Sequence, residues 1–379
     1  MLLKIANKAF LSLLRQCLPF VGKGREVEPG LGSLHLEVRA PDQLRASAHD
    51  TSAGIVAKMT IAGLQQPGVM VIDGAQLGRL ATVIPDAGGE LMLTTLSQAQ
   101  ARVVCGRLQL TMPIMPPEHF LPLPKPAAGI GWHSMSAAAL DDVIAGVSWA
   151  VCRDGSRPIF EGIHLTPARS EAINGHMMAI MRPGLVPVDV VVPGALCTRL
   201  RAFVTARSGD LKLAVEGNRI WIGSSSWAIY GQLLAGAFPN TEGMAFDLET
   251  DSELSWMLLT RAEVMRVVRR IVSAATGCKE DVAVVCEWRD GDLHLVSNYA
   301  FEDLSAAMIV DEVVGHEEVH GDRSQLRDRG LRAEYMLSAL DSLRADKVLM
   351  VWAPTARSAP IQFHDNEHGL VAMVMPRRL

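Results

Sequence analysis

The sequence predicts an α+β protein made of three tandem copies of one module, each with two helices packed on antiparallel sheet. Three observations carry that reading. An apolar strand, a short break and a leucine-spaced helix recur as Val69–Leu80, Val188–Leu200 and Leu331–Leu340. Strands of alternating polar and apolar character follow each unit, as half-buried antiparallel strands do. An amphipathic helix opens each copy, at residues 3–15, 136–151 and 261–274. Such internal repetition fixes the architecture before any single residue is weighed.

The elements can be taken in order. In the first copy Leu3, Ala6, Phe10, Leu13 and Leu14 share one helical face and Lys4, Lys8 and Arg15 the other. Glu90–Thr95 and Arg102–Met112 supply its later strands. The second copy closes on Leu211–Glu216, Arg219–Gly223 and Trp227–Leu233, the third on Val348–Trp352, Ile361–Phe363 and Leu370–Met375. The proline-rich Met115–Pro124 and the segment Ala237–Gly243 mark boundaries, giving modules at 1–124, 125–247 and 248–379. A charged stretch, Gly315–Gly330, reads as an exposed insertion in the longer third copy. At 379 residues the chain exceeds one ordinary core.

Composition narrows the classes. Hydrophobic residues at 49% and charged residues at 20% fit a globular protein, and the 5% aromatic content demands aliphatic, methionine-filled cores. A net charge of −5 excludes an all-over basic nucleic-acid binder but allows a basic stripe. Cys17, Cys105, Cys152, Cys197, Cys278 and Cys286 form no C-x-x-C pair, so they read as small buried hydrophobes of a reducing compartment. The first fifteen residues superficially resemble a signal peptide, but their charges recur at helical spacing and no small-x-small cleavage site is evident. No apolar run reaches the about 18 residues that span a bilayer, so a cytoplasmic protein is expected, with no membrane partner.

The basic residues are distributed by element. Arg266, Arg269 and Arg270 lie opposite the Val264, Val267, Val268 and Ile271 face of the third opening helix. Lys4, Lys8 and Arg15 stand on the first, Arg79, Arg199, Arg201 and Arg344 on the strand-linked helices, and Lys23, Arg25, Arg153 and Arg207 in loops. Solvated helix faces account for any one of these. The second opening helix carries Asp141 and Asp142 instead, which weakens a DNA reading. If the faces converge, each phosphate neutralised adds about −0.9 to the salt slope of duplex binding, without sequence preference.

The tail, Val371–Leu379, is a strand stopped by Pro376. It is either a last core strand or one wall of a peptide-binding groove. Catalytic patterns are thin. His316-Glu-Glu-Val-His320 matches H-E-x-x-H, yet flanking Gly315 and Gly321 argue for a solvated loop over a zinc helix. His176 has no nucleophile near it in sequence, and Gly223-Ser-Ser-Ser-Trp227 lacks the second glycine of a nucleophile elbow.

At this point the chain resembles the bacterial sliding clamps, the beta subunits of replicative DNA polymerase. Arg157-Pro-Ile-Phe-Glu-Gly162, Asn174-Gly-His-Met-Met-Ala179, Gly236-Ala-Phe-Pro239 and Met375-Pro-Arg-Arg-Leu379 carry the resemblance, in order and over nearly the whole length. It implies a DNA clamp fold, the chain forming half of a ring, with helices lining the hole. A head-to-tail homodimer would encircle duplex DNA without sequence preference and without catalysis or cofactor. DNA polymerase, clamp loader and other clamp-binding peptides would be its partners. Carried residue by residue, the peptide groove would be lined by Phe160, Asn174, Gly175, His176, Met177, Met178, Phe246, Pro360, Met373, Met375, Pro376, Arg377 and Arg378. Leu110 on an edge strand of the first module would meet Ile271 and Val272 of the neighbour's third module, although these are equally plain core residues. Met177 replaces the family's arginine, Phe246 a usual proline and Arg377 a methionine, so a different peptide preference is expected. The alternatives are a clamp paralogue that recruits repair or phage partners and, from another class, a zinc hydrolase using His316 and His320.

Overall fold

A computed structural model describes residues 1–23, 30–39, 42–62, 66–86, 88–184, 187–204, 209–275, 282–299, 308–323, 326, 330–354, 356 and 358–377. One ten-element order, β-α-β-β-β-β-α-β-β-β, runs through it three times. The first passage is β1 (Leu2–Ala6), α1 (Asn7–Cys17), β2 (Ser33–Arg39), β3 (Gln43–His49), β4 (Ala53–Thr60), β5 (Gly68–Asp73), α2 (Gly74–Val83), β6 (Glu90–Thr95), β7 (Gln100–Cys105) and β8 (Leu108–Pro113). The second is β9 (His133–Ser136), α3 (Ala137–Val147), β10 (Gly162–Leu165), β11 (Ser170–Ile173), β12 (Met177–Met181), β13 (Val190–Pro193), α4 (Gly194–Val204), β14 (Asp210–Glu216), β15 (Arg219–Gly223) and β16 (Trp227–Gln232). The third is β17 (Ser255–Thr260), α5 (Arg261–Ala274), β18 (Ala283–Arg289), β19 (Asp292–Tyr299), β20 (Met308–Val314), an added β21 (His316–His320), β22 (Gly330–Arg332), α6 (Ala333–Ser342), β23 (Lys347–Trp352), β24 (Ile361–Asp365) and β25 (Leu370–Val374).

Each passage contributes two four-stranded antiparallel arrays. The first, sixth, seventh and eighth strands make one, and the fifth, second, third and fourth make the other. Two junctions then fuse arrays of successive passages. β4 pairs with β16 to give an eight-stranded sheet, and β12 pairs with β25 to give a sheet that β21 extends to nine strands. Compactness follows these shared sheets. One unit comprises Met1–Ala137 and Ala202–Leu233, the other Ala138–Arg201 and Leu234–Leu379.

The first unit holds the β1-β6-β7-β8 sheet and the eight-stranded sheet. Leu2–Ala6 is a strand and not the start of the first helix, because Leu3 and Ile5 alternate with Lys4 and Ala6 against β6. Five residues of this kind fit periods of 2 and 3.6 equally, and pairing decides. The opening helix of the second passage likewise starts at Ala137, after β9. Asn7 then begins α1 fully buried, its amide donating to the Pro85 and Gly88 carbonyls at 3.2 and 3.0 Å. Asp73 caps α2 by accepting from Gln76 N at 2.9 Å. Residues 102–112 are two strands, because the chain turns at Gly106 and Arg107.

In the second unit, α5 and α6 pack over a core of Met257, Val264, Val268, Ile271, Met336, Leu340, Trp352 and Phe363. Its aliphatic and methionine filling matches the low aromatic content. Cys17, Cys105, Cys152, Cys197 and Cys286 are buried, and burial pushes the Cys17 and Cys197 thiols up to about 12. Cys278 lies outside the described residues.

Candidate functional site

The tail strand does build a groove. β25 pairs with β12 in the register Val374 to Met177 and Met373 to Met178, so methionines from both strands share one face. The Asn174 carboxamide oxygen accepts from His176 N at 2.9 Å and Met177 N at 2.8 Å, an Asx turn that places Gly175 at φ +92°. Met375 N donates to His176 O at 2.8 Å, which carries the tail past this turn. The resulting cavity, about 320 Å3, is lined by Gly175, His176, Met177, Met178, Gly243, Met244, Phe246, Pro360, Met373 and Met375.

The structure brings together most of the expected lining and places the remainder around it. Phe160 is buried beside Phe238, with the Arg157 guanidinium 5.3 Å from its ring centroid. Asn174 shapes the turn and lines an adjoining cavity of about 470 Å3 with His176 and Tyr335. The His176 ring stacks on Tyr335 at 6.2 Å. Pro376 is half-buried and Arg377 exposed, its N–H donating to Gly330 O at 2.7 Å. Arg378 lies outside the described residues.

Sequence reasoning missed the residue that holds the far wall. Gln362 is fully buried on β24; its amide nitrogen donates to Met244 O at 2.7 Å and its oxygen accepts from Phe246 N at 3.0 Å. His364 Nε2 lies 3.0 Å from the same oxygen, so it carries the proton and donates. Burial, helped by the Arg182 charge, brings the His364 pKa down to about 4, which keeps the imidazole neutral. A glutamine between Ile361 and Phe363 in an alternating strand was the available signal.

The basic residues sit in ion pairs more often than their helical spacing implied. Lys4, on β1 and not on a helix, meets Glu90 at 2.6 Å, and Arg15 meets Asp86 at 3.2 Å. Arg270 and Arg266 both reach Glu312, at 3.0 and 3.7 Å, and Arg269 reaches Asp341 at 3.8 Å. Asp141 and Asp142 are accounted for as partners of Arg201 at 3.2 Å and Arg344 at 2.7 Å. These pairs are largely exposed and contribute little to stability, so their cations remain exchangeable toward phosphate. Lys8, Lys23, Arg79 and Arg153 are exposed and Arg199 is half-buried. Arg25 and Arg207 lie outside the described residues.

Two strand edges stand out. β8 ends the sheet of the first passage and presents Leu110 at 36% exposure. β20 ends the β22-β18-β19-β20 sheet and presents Ile309 at 64% and Val313 at 48%. Ile271 has 0% exposure inside the α5 core, so within the chain it is a core residue with no surface to offer; Val272 is half-buried against the same core. Ile309 and Val313 were not singled out in the sequence, because a β-branched run reads the same on an edge as in a sheet centre.

The H-E-x-x-H segment is neither helix nor loop. His316–His320 is β21, paired with β17, so the charged stretch is ordered sheet at its start. In a strand, residues four apart are separated by about 13 Å, beyond any shared zinc. His316 packs edge-on to Trp288 and His320 stacks on Trp256. No cluster of three or more metal-ligating side chains occurs among the described residues. Ser224–Ser226 form a tight turn in which Ser224 N donates to Trp227 O at 2.8 Å.

No family model matches the chain. Its sequence is 20% identical to the beta sliding clamp of Lactococcus lactis over 341 residues, covering 85% of this chain and 83% of that protein. It is 21% identical to the beta sliding clamp of Staphylococcus aureus over 218 residues, 54% of this chain and 57% of that one. Among solved structures, the DNA polymerase sliding clamp of Bacillus subtilis superposes with a TM-score of 0.85 at 17% identity, over 100% of this chain and 99% of that one. The Pseudomonas aeruginosa sliding clamp gives 0.81 at 19% identity, over 100% of both. At these identities the superpositions establish a shared fold.

Proposed function

We propose that this chain, a divergent relative of the beta sliding clamps, is a non-catalytic processivity factor that closes into a ring on duplex DNA. The observation that carries the reading is the pairing pattern. Inside the chain, the fourth strand of one passage twice pairs with the eighth strand of the next, as β4 with β16 and β12 with β25. Among the described residues one eighth strand, β8, and one fourth strand, β20, are left open, and both expose apolar residues. Open edges of this kind invite pairing. A second copy repeats the internal junction when its β20 meets β8, and two such head-to-tail contacts close a ring of six modules, with module boundaries near 124 and 247. Leu110, Ile309 and Val313 are the residues of that contact.

The arginines of α5, with Lys8, Arg15, Arg79, Arg201 and Arg344, are the proposed phosphate contacts. The methionine groove takes the peptide by which a polymerase, a loader or other factors attach. Methionine walls adapt to several partners, and tethering raises effective concentration without chemistry. Phe246 and Met177 in the lining support a peptide preference shifted from that of related clamps. We place the protein in the cytoplasm at the nucleoid.

Mass in solution tests the ring. The wild type is expected at twice 41.0 kDa, and Ile309→Asp or Leu110→Asp at the mass of one chain. After loading, the wild type should stay on closed circular DNA and run off once the circle is cut. A wild type of single-chain mass at every concentration would end the ring reading, and retention on linear DNA would end the sliding one.

A further inference from the structure

The eight-stranded sheet carries a larger cavity, about 600 Å3, where the proline-rich segment crosses its face. Leu123 and Ile130 of that segment pack on Ala214, Trp221 and Tyr230. Pro124, Pro126 and Trp132 continue the lining, and Trp132 is 43% exposed. Its volume falls in the range of sites that take one or two large side chains.

Two independent features say what fits. Trp221 is only 5% exposed, lines the cavity, and its indole N–H has no hydrogen-bond partner among the described residues. An indole N–H can only donate, and this one is buried at the cavity wall, so an oxygen of an occupant that packs against Trp221 would supply the acceptor it lacks. Lys58, Lys125, Lys212 and Arg45 also line the cavity, against the single acid Asp210. The three lysines are exposed and enter no ion pair among the described residues.

We propose that this cavity docks an acidic peptide segment of a partner protein through a bulky apolar anchor. The anchor lies among Trp132, Trp221 and Tyr230, a backbone carbonyl accepts from the Trp221 indole, and flanking carboxylates meet Lys58, Lys125 and Lys212. A nucleic-acid strand would use the same lysines but would set phosphates against Asp210 and leave the proline-lined floor unfilled. The proposal stands on the cavity's own chemistry and does not depend on ring closure or on the methionine groove.

The test uses the full chain and a fluorescein-labelled peptide, Asp-Glu-Leu-Phe-Asp-Glu, with photo-leucine at its centre. Saturable anisotropy is expected, along with movement of the Trp221 indole cross-peak, assigned with Trp221→Phe. Photo-crosslinks should fall within residues 121–132 and 221–230. The Lys58→Glu, Lys212→Glu double variant should bind at least about tenfold more weakly, as charge reversal at a rim does. Both lysines are exposed, and an unchanged thermal melt would show the fold intact. The Asn/Gln version of the peptide should weaken comparably against wild type. Absence of saturable binding, equal binding by the double variant, or crosslinks to 243–246 and 373–375 would overturn the proposal, the last by assigning the peptide to the methionine groove. Tighter binding of a labelled oligonucleotide at the same residues would replace the peptide with nucleic acid.

Discussion

The two sheet junctions are built alike and finished differently. Across β15, β16 and β4 the register runs Trp221, Tyr230, Gly54; across β24, β25 and β12 the corresponding row is Gln362, Met373, Met178. A connecting segment crosses both rows, resting on Leu123 and Ile130 in one case and Ala245 in the other. At the second junction a buried amide spends its hydrogen bonds on the crossing segment. At the first, an indole N–H at the matching place has no partner among the described residues. Equivalent backbone thus supports a wall fastened to its sheet in one case and a cavity beside a buried, unsatisfied donor in the other. What separates them is how buried polar groups are satisfied, not topology.

The largest effect that would break this comparison comes from Gln362→Leu. It leaves Met244 O, Phe246 N and His364 Nε2 without partners, and should cost about 4 kcal/mol in urea unfolding while raising hydrogen exchange across 243–247. A loss below about 1 kcal/mol would show the groove wall to be held by apolar contact alone.

Acid should act next. Because the His364 pKa falls from 6.5 to about 4 on folding, the unfolded chain takes up the proton first as pH drops. The His364 contribution should therefore be level above about pH 6.5 and fall toward pH 4, by about 3 kcal/mol in all. His364→Leu should flatten that part of the curve. His164 opposes it. Burial lowers its pKa, but hydrogen bonds to Glu171 and Asp189 outweigh burial and raise it. Its contribution is present at low pH and is lost as pH rises past 6.5. A profile of the His364→Leu variant that still falls through pH 6.5 to 4 would remove His364 as the cause.

At the first junction Gly54→Ala would set a Cβ against the Tyr230 ring and the His49 Cβ. A cost of about 2 kcal/mol is expected from displacing Tyr230, with Trp132 fluorescence reporting the opened cavity. The smallest effect is expected of Trp221→Phe, which deletes a donor that has no partner. Stability should change by less than about 1 kcal/mol, and in the stabilising direction if at all. A clear loss would mean that the indole is already satisfied and would weaken the docking site.

Much of this was legible in the sequence because it is local. Strand, break and helix recur at Val69, Val188 and Leu331, and each became an observed strand and helix. The tail strand followed from the same alternation, and the methionines beside it were named only through the resemblance to the sliding clamps. The second, third and fourth strands of each passage were not read. In β3 and β4 only Leu44 and Ile55 are large on the core face, and Ala46, Ala48, Ala53 and Ala57 are too small to stand out against polar neighbours. In β11 the alternation is blurred by buried Ser170 and Glu171. Gln362 and Trp221 carry no local signal, because a buried polar group is defined by distant atoms.

Periodicity and motif order by themselves determined the three passages, the strand-linked helices and the apolar tail. They could do so because side-chain alternation and helical spacing are set within a few residues. Only the tertiary structure decided that β4 meets β16 and β12 meets β25, that His316–His320 is an edge strand, and which buried donor is left over. Every strand offers the same backbone N–H and C=O groups, so which edge it joins, and which polar side chain is satisfied there, is settled by packing between residues far apart in the chain.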